Sequence, residues 1–223
     1  MSLERISLPE YTRKQEWWNA ISHFCGLVFG LIAGPFLLLK ACKTNNALTI
    51  AACAIYLVAY AVLYAGSALY HALLPGPTKK IMRVLDHDNV YLLIMGSYTP
   101  YTWIGLAEPK DGFPWGWIVF GVVWSLCILG IVFNSVDLKK FSKVCMVIYV
   151  GMGSAILAAF YPLYFGIGLA GILTLLGSGV FYWVGAMLYA MGKKRSFWYH
   201  TVFHFFVLAA TTLMFFSIYF FVL

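Results

Sequence analysis

The chain has 223 residues, of which 62% are hydrophobic and 10% charged, with a net charge of +7 and a mean hydropathy of +0.84. A soluble domain carries roughly 25% charge, and a soluble fold of this length has no place to hide so much apolar side chain. The composition excludes a soluble enzyme or a nucleic-acid binder and predicts an all-α integral membrane protein, because the basic residues fall between apolar runs, where membrane topology accounts for them.

Residues 1–19 form a short polar tail, with no cleavable export signal evident in it, so the first apolar run reads as a retained helix. A bilayer core takes about 20 apolar residues per helix. Seven runs qualify: Ala20–Leu39, Leu48–Leu74, Val84–Leu106, Trp115–Phe133, Val144–Phe165, Ile167–Ala190 and Phe197–Val222. Pro75-Gly76-Pro77 closes the second, and Pro162, Gly166 and Gly168 mark the turn between the fifth and sixth. The expected architecture is a single seven-helix transmembrane domain over residues 20–223. Five cysteines, odd in number and without Cys-x-x-Cys spacing, read mostly as small hydrophobes inside these runs.

Lysine and arginine set the expected orientation. Twelve lie on the side of the N-terminal tail: Arg5, Arg13, Lys14, Lys79, Lys80, Arg83, Lys139, Lys140, Lys143, Lys193, Lys194 and Arg195. Only Lys40, Lys43 and Lys110 lie opposite. The positive-inside rule makes the N-terminus cytoplasmic and the C-terminus external, in a multi-pass cell-membrane protein.

On that topology every histidine falls within one or two turns of the cytoplasmic face. Glu16, Asn19 and His23 start the first helix, Ser67 and His71 end the second, Asp86, His87 and Asp88 start the third, and His200 and His204 start the seventh. Ionisable groups inside a membrane are costly and mark sites. On a helix, positions i and i+4 share a face, which suits His200 and His204 to one metal ion. Three imidazoles plus an oxygen make a frequent catalytic zinc set. His71, His200 and His204 are the candidate ligands, with Asp86 bound directly or through water. Asp86 would accept a proton, and Ser67, one turn before His71, would hydrogen-bond substrate or water. The alternative is that these groups pair with one another or cap helix starts, as Asp86 and Asp88 would. Asp88 reads as such a cap or as a water-facing group, and His87 points elsewhere on its helix. Glu16, Asn19 and His23 form one stripe, which either orients the ligands or ties the first helix to the bundle.

Glu16-x-x-Asn19-x-x-x-His23, Ser67-x-x-x-His71, Leu85-Asp86-His87 running into Tyr91–Pro100, and His200-x-x-x-His204 resemble, in order, the hemolysin III family, bacterial relatives of the progestin and adiponectin receptors. The resemblance spans Glu16 to His204. It implies a seven-helix bundle with a cytoplasmic N-terminus and an intramembrane zinc held by residues that map onto His71, His200 and His204. An acid acting through water maps onto Asp86, and a serine onto Ser67. The wider superfamily includes ceramidases, which implies hydrolysis of lipid amides or esters, with membrane lipid as substrate. A non-enzymatic membrane regulator or channel with a structural metal, and cytolysis of the kind the family name implies, are the other readings. The chain lacks the long N-terminal region of the receptor relatives, so hormone binding is not carried over.

Overall fold

The computed structural model describes residues 3–192 and 196–223. Lys193, Lys194 and Arg195, three of the residues behind the expected orientation, lie outside the described residues. No strand occurs among the described residues. The α-helices are α1 (Arg13–Cys42), α2 (Ala47–Ala72), α3 (Pro77–Pro100), α4 (Trp115–Val136), α5 (Ser142–Ser154), α6 (Phe160–Gly192) and α7 (Trp198–Ser217). Wide-turn extensions continue α3 over Tyr101–Gly105 and α7 over Ile218–Val222. Among the described residues, five stretches are long and apolar enough to cross a membrane: Arg13–Cys42, Ala47–Ala72, Trp115–Val136, Ser142–Gly192 and Trp198–Val222.

The helix starts follow from local chemistry. Thr12 and Gln15 form a reciprocal capping box, with Gln15 N donating to Thr12 Oγ1 (3.3 Å) and Thr12 N donating to Gln15 Oε1 (2.9 Å). That box starts α1 well ahead of the apolar run, so Glu16 and Asn19 are helical. Asn46 Oδ1 caps α2 by accepting from Leu48 N (2.9 Å) and Thr49 N (3.1 Å). Pro77 sits in the first turn of α3, where a missing N–H costs nothing.

This early start to α3 corrects one expectation. Asp86 and Asp88 lie well inside the helix and cap nothing. Asp88 is buried and accepts from Asn134 Nδ2 (2.7 Å) and Ser135 Oγ (3.1 Å), tying α3 to α4.

The expected turn in the 142–192 stretch falls at Gly168, whose φ of 68° and ψ of 175° break the helical path of α6. Only glycine adopts that backbone freely. Two residues earlier, Gly166 packs directly on the end of the α3 extension, where an added Cβ would overlap the Gly105 carbonyl oxygen. Neither backbone has a flexible end to yield. Gly166→Ala is therefore expected to lower stability by about 1–3 kcal/mol, read as a drop in melting temperature in detergent. An unchanged melt would show that the two segments separate without cost.

α2 packs along both α1 and α3, α6 packs along α7, and α1 meets α7. The α1–α7 pairing is parallel: Ser22 meets His204 near one end, and Lys40 Nζ donates to the Tyr219 carbonyl at the other (2.5 Å). The start of α1, the end of α2 and the start of α7 consequently share one level of the bundle.

Candidate metal centre

Three imidazoles meet at that level. His71 comes from the last turn of α2, and His200 and His204 from the first two turns of α7. One ring nitrogen from each lies within 4.8 Å of the other two. His200 Nε2 and His204 Nε2 are 3.1 Å apart. The residues are 2%, 9% and 1% exposed, respectively, so water is largely kept from all three.

The groups behind the rings decide which nitrogens carry protons. His71 Nδ1 lies 2.6 Å from Glu16 Oε2. A carboxylate only accepts, so Nδ1 is the donor, and in the neutral ring Nε2 is then the bare nitrogen. Glu16 is itself held by Lys79, whose Nζ donates to Glu16 Oε1 (2.6 Å) and to the Leu73 carbonyl (2.8 Å). Lys79 is only 3% exposed. Asn19 Nδ2 stands at 3.5 Å from the same His71 nitrogen, at the limit of contact.

His204 is fixed in the same sense by a different route. Ser22 Oγ donates its one proton to the Asn19 carbonyl (2.8 Å). Toward His204 Nδ1, 3.3 Å away, it can then only accept. His204 therefore carries its proton on Nδ1 and turns a bare Nε2 toward His200. His71 Nε2 is buried with no hydrogen-bond partner. A buried acceptor left unmatched costs roughly 1–3 kcal/mol. Two lone pairs and a third imidazole nitrogen around one point form a donor set that fits a divalent metal, with the second nitrogen of two ligands anchored as metal-binding histidines require.

The other singled-out residues surround this trio. Ser67 is 2% exposed, one turn before His71, and its hydroxyl has no partner. His23 stacks on His204, with centroids 3.9 Å apart at 28°, and meets Tyr64 edge-on at 5.0 Å. It touches the ligand face through its ring, and neither of its nitrogens is hydrogen-bonded. Asp86 is half-buried and does not join the three-residue group. It lies within electrostatic reach of Tyr11, Tyr70 and Tyr189, all packed against the histidines. His87 turns away, with Nδ1 at 2.8 Å from the Arg83 carbonyl and Nε2 at 3.3 Å from the Tyr189 hydroxyl.

Three participants escape a reading of the sequence. Tyr11, ahead of α1, stacks on His200 (5.2 Å, 20°) and leans on His71 (5.8 Å), closing the site from the tail side. Burial pushes its phenol pKa up, with Tyr70, Tyr189 and Asp86 adding to the effect. Nothing in a polar tail signals this. Ser22 does carry a signal, because it extends the Glu16–Asn19 stripe by three residues. Lys79 resembles any loop cation until its burial is seen.

The fold and the site together define a multi-pass helical membrane protein whose first, second and last helices enclose a buried imidazole trio. The profile of the haemolysin-III related proteins matches residues 11–215, and the chain belongs to that family, as its motifs had indicated. It is 35% identical over 210 residues to Hemolysin-3 of Bacillus cereus, covering 94% of this chain and 93% of the relative. It is also 35% identical over 211 residues to a Hemolysin-3 homolog of Bacillus subtilis (strain 168), covering 95% and 96%.

Proposed function

We propose that this protein holds a zinc ion inside the membrane and hydrolyses amide or ester bonds of membrane lipids there. The observation that carries this reading is the convergence of His71, His200 and His204, two of them with their inward nitrogens freed by Glu16 and Ser22. Three imidazoles leave a fourth position open, the pattern of catalytic zinc, whereas structural zinc is closed by four protein ligands. His87, the nearest candidate for a fourth imidazole in sequence, is engaged with Arg83 and Tyr189. When bound, zinc acts as a Lewis acid and lowers the pKa of water toward about 7. Asp86, within electrostatic reach of the tyrosines that pack on the histidines, would receive a proton on its carboxylate through water. Ser67 offers its unpartnered hydroxyl to the substrate carbonyl. Glu16 and Ser22 hold two rings in one tautomer, and Tyr11 covers the site.

The same proposal includes seven membrane crossings with a cytoplasmic N-terminus. The 51-residue stretch Ser142–Gly192 would extend roughly 76 Å as one helix, more than twice a hydrocarbon core of about 30 Å, and it breaks at Gly168. α3 adds a crossing whose charged first turns mask its hydropathy. The parallel run of α1 and α7 supports termini on opposite faces, and the bias of basic residues supports the direction.

Detergent-purified protein is expected to release fatty acid from a mixed pool of lipid amides and esters. His200→Ala should abolish that release with helical content retained by circular dichroism. Equal release by both proteins would overturn the reading.

A second reading, a non-catalytic metal in a membrane regulator, draws support from packing. The histidines are almost wholly buried, and two cavities of about 190 and 180 Å³ are lined by other residues.

A further inference from the structure

The cavity of about 180 Å³ opens at the histidine end of the bundle. Three segments distant in sequence line it: Arg5 and Ser7 from the tail, Arg83 from α3, and Lys139 and Ser142 from the junction of α4 and α5. The tail is fastened over it. Ile6 is 5% exposed, and Lys80 Nζ donates to the Leu3 carbonyl (3.1 Å). Arg5 is thus held beside the cavity by its neighbours on both sides.

Among the described residues, no carboxylate lies within 4.0 Å of any of the three cations. Among the described residues, the ion pairs within 4.0 Å are those of Glu16 with His71 and Lys79. Asp137 is within electrostatic reach of Arg5 without forming an ion pair with it, and its Oδ1 accepts from the backbone N–H groups of Lys139 (3.1 Å) and Lys140 (2.9 Å). Like charges gathered around one space repel, more so beside a low-dielectric bundle. A bound anion reverses the sign of that energy. Phosphate oxygens match the fork of an arginine, and hydroxyls such as those of Ser7 and Ser142 complete their hydrogen bonding.

We propose that this cavity binds a phosphate group, supplied either by the headgroup of an anionic membrane lipid or by free phosphate. The outward apolar residues Leu85 and Val136, 44% and 56% exposed, lie two residues from Arg83 and three from Lys139 in sequence and bring lipid close to the cavity. The inference needs no metal and stands apart from the hydrolase reading.

The test is native mass spectrometry of the full-length protein in detergent, with dihexanoyl phosphatidylglycerol, dihexanoyl glycerol and inorganic phosphate as probes. The wild type should retain one phosphatidylglycerol, and dihexanoyl glycerol should not bind. Arg83→Gln with Lys139→Gln should weaken retention by about tenfold or more, the effect of roughly one charge-assisted contact. Lys43→Gln, at the opposite end, should change nothing. Where the double variant melts early, Lys139→Gln alone, at an exposed position, should still weaken binding about threefold. Comparable binding of inorganic phosphate would identify free phosphate as the source, and its failure to bind would identify the headgroup. Equal retention of every probe by wild type and both variants would overturn the proposal.

Discussion

Glu16→Ala is expected to destabilise the protein by about 3 kcal/mol and to weaken zinc binding by about 10- to 100-fold. Two separate effects combine here. Lys79, 3% exposed, loses its carboxylate partner Glu16 and is left as an uncompensated buried charge. His71 loses the acceptor that keeps its proton on Nδ1, so the ring is free to place that proton on the nitrogen facing the site. The Glu16 side chain is 17% exposed, which puts the stability loss at the lower end of the range for breaking buried pairs. A double change separates the effects. Glu16→Leu with Lys79→Met removes both charges and should recover most of the melting temperature, because an apolar pair of similar size replaces a buried ion pair at little cost. Zinc affinity, measured by competition with a chromophoric chelator, should stay low. Recovery of affinity together with stability would show that His71 needs no partner to act as a ligand.

Asp86→Asn should cut lipid hydrolysis by about 10²- to 10⁴-fold, the range for losing a positioned general base, while metal content and melting temperature hold. Asp86 is half-buried and outside the imidazole group, so its amide removes a proton acceptor without removing one of the three ligands. The outcome also separates the readings. A non-catalytic metal protein would show no hydrolysis to lose. A pore former, the activity carried in the name of the Bacillus cereus relative, would conduct ions in liposomes equally well with Asp86→Asn.

The trio was legible in the sequence because each histidine stood near the end of an apolar run and the runs alternate in direction. The i, i+4 spacing of His200 and His204 fixed their common face before any fold was known. What stayed hidden depended on where helices begin. Pro77 reads as the close of α2, yet it opens α3, and that shift moves Asp88 from a helix cap to a buried tie with Asn134 and Ser135. The narrow turn at Ala155–Ala159 contains neither proline nor glycine and leaves no trace in the pattern. Lys79 reads in the sequence as one of the charges that orient the chain; its burial against Glu16 follows from the α1–α2 packing, which no local window contains. Tyr11, next to the Thr12 capping box, covers His200 through a contact across almost the whole chain, again outside any local window.

The most direct test of the account is metal content per chain, measured by mass spectrometry on protein purified in detergent without chelators. The wild type should carry about one zinc, and the double variant His200→Ala with His204→Ala none. Wild-type protein free of zinc and of any other divalent metal would contradict the account, and the buried imidazoles would then stand as a hydrogen-bonded cluster joining α1, α2 and α7.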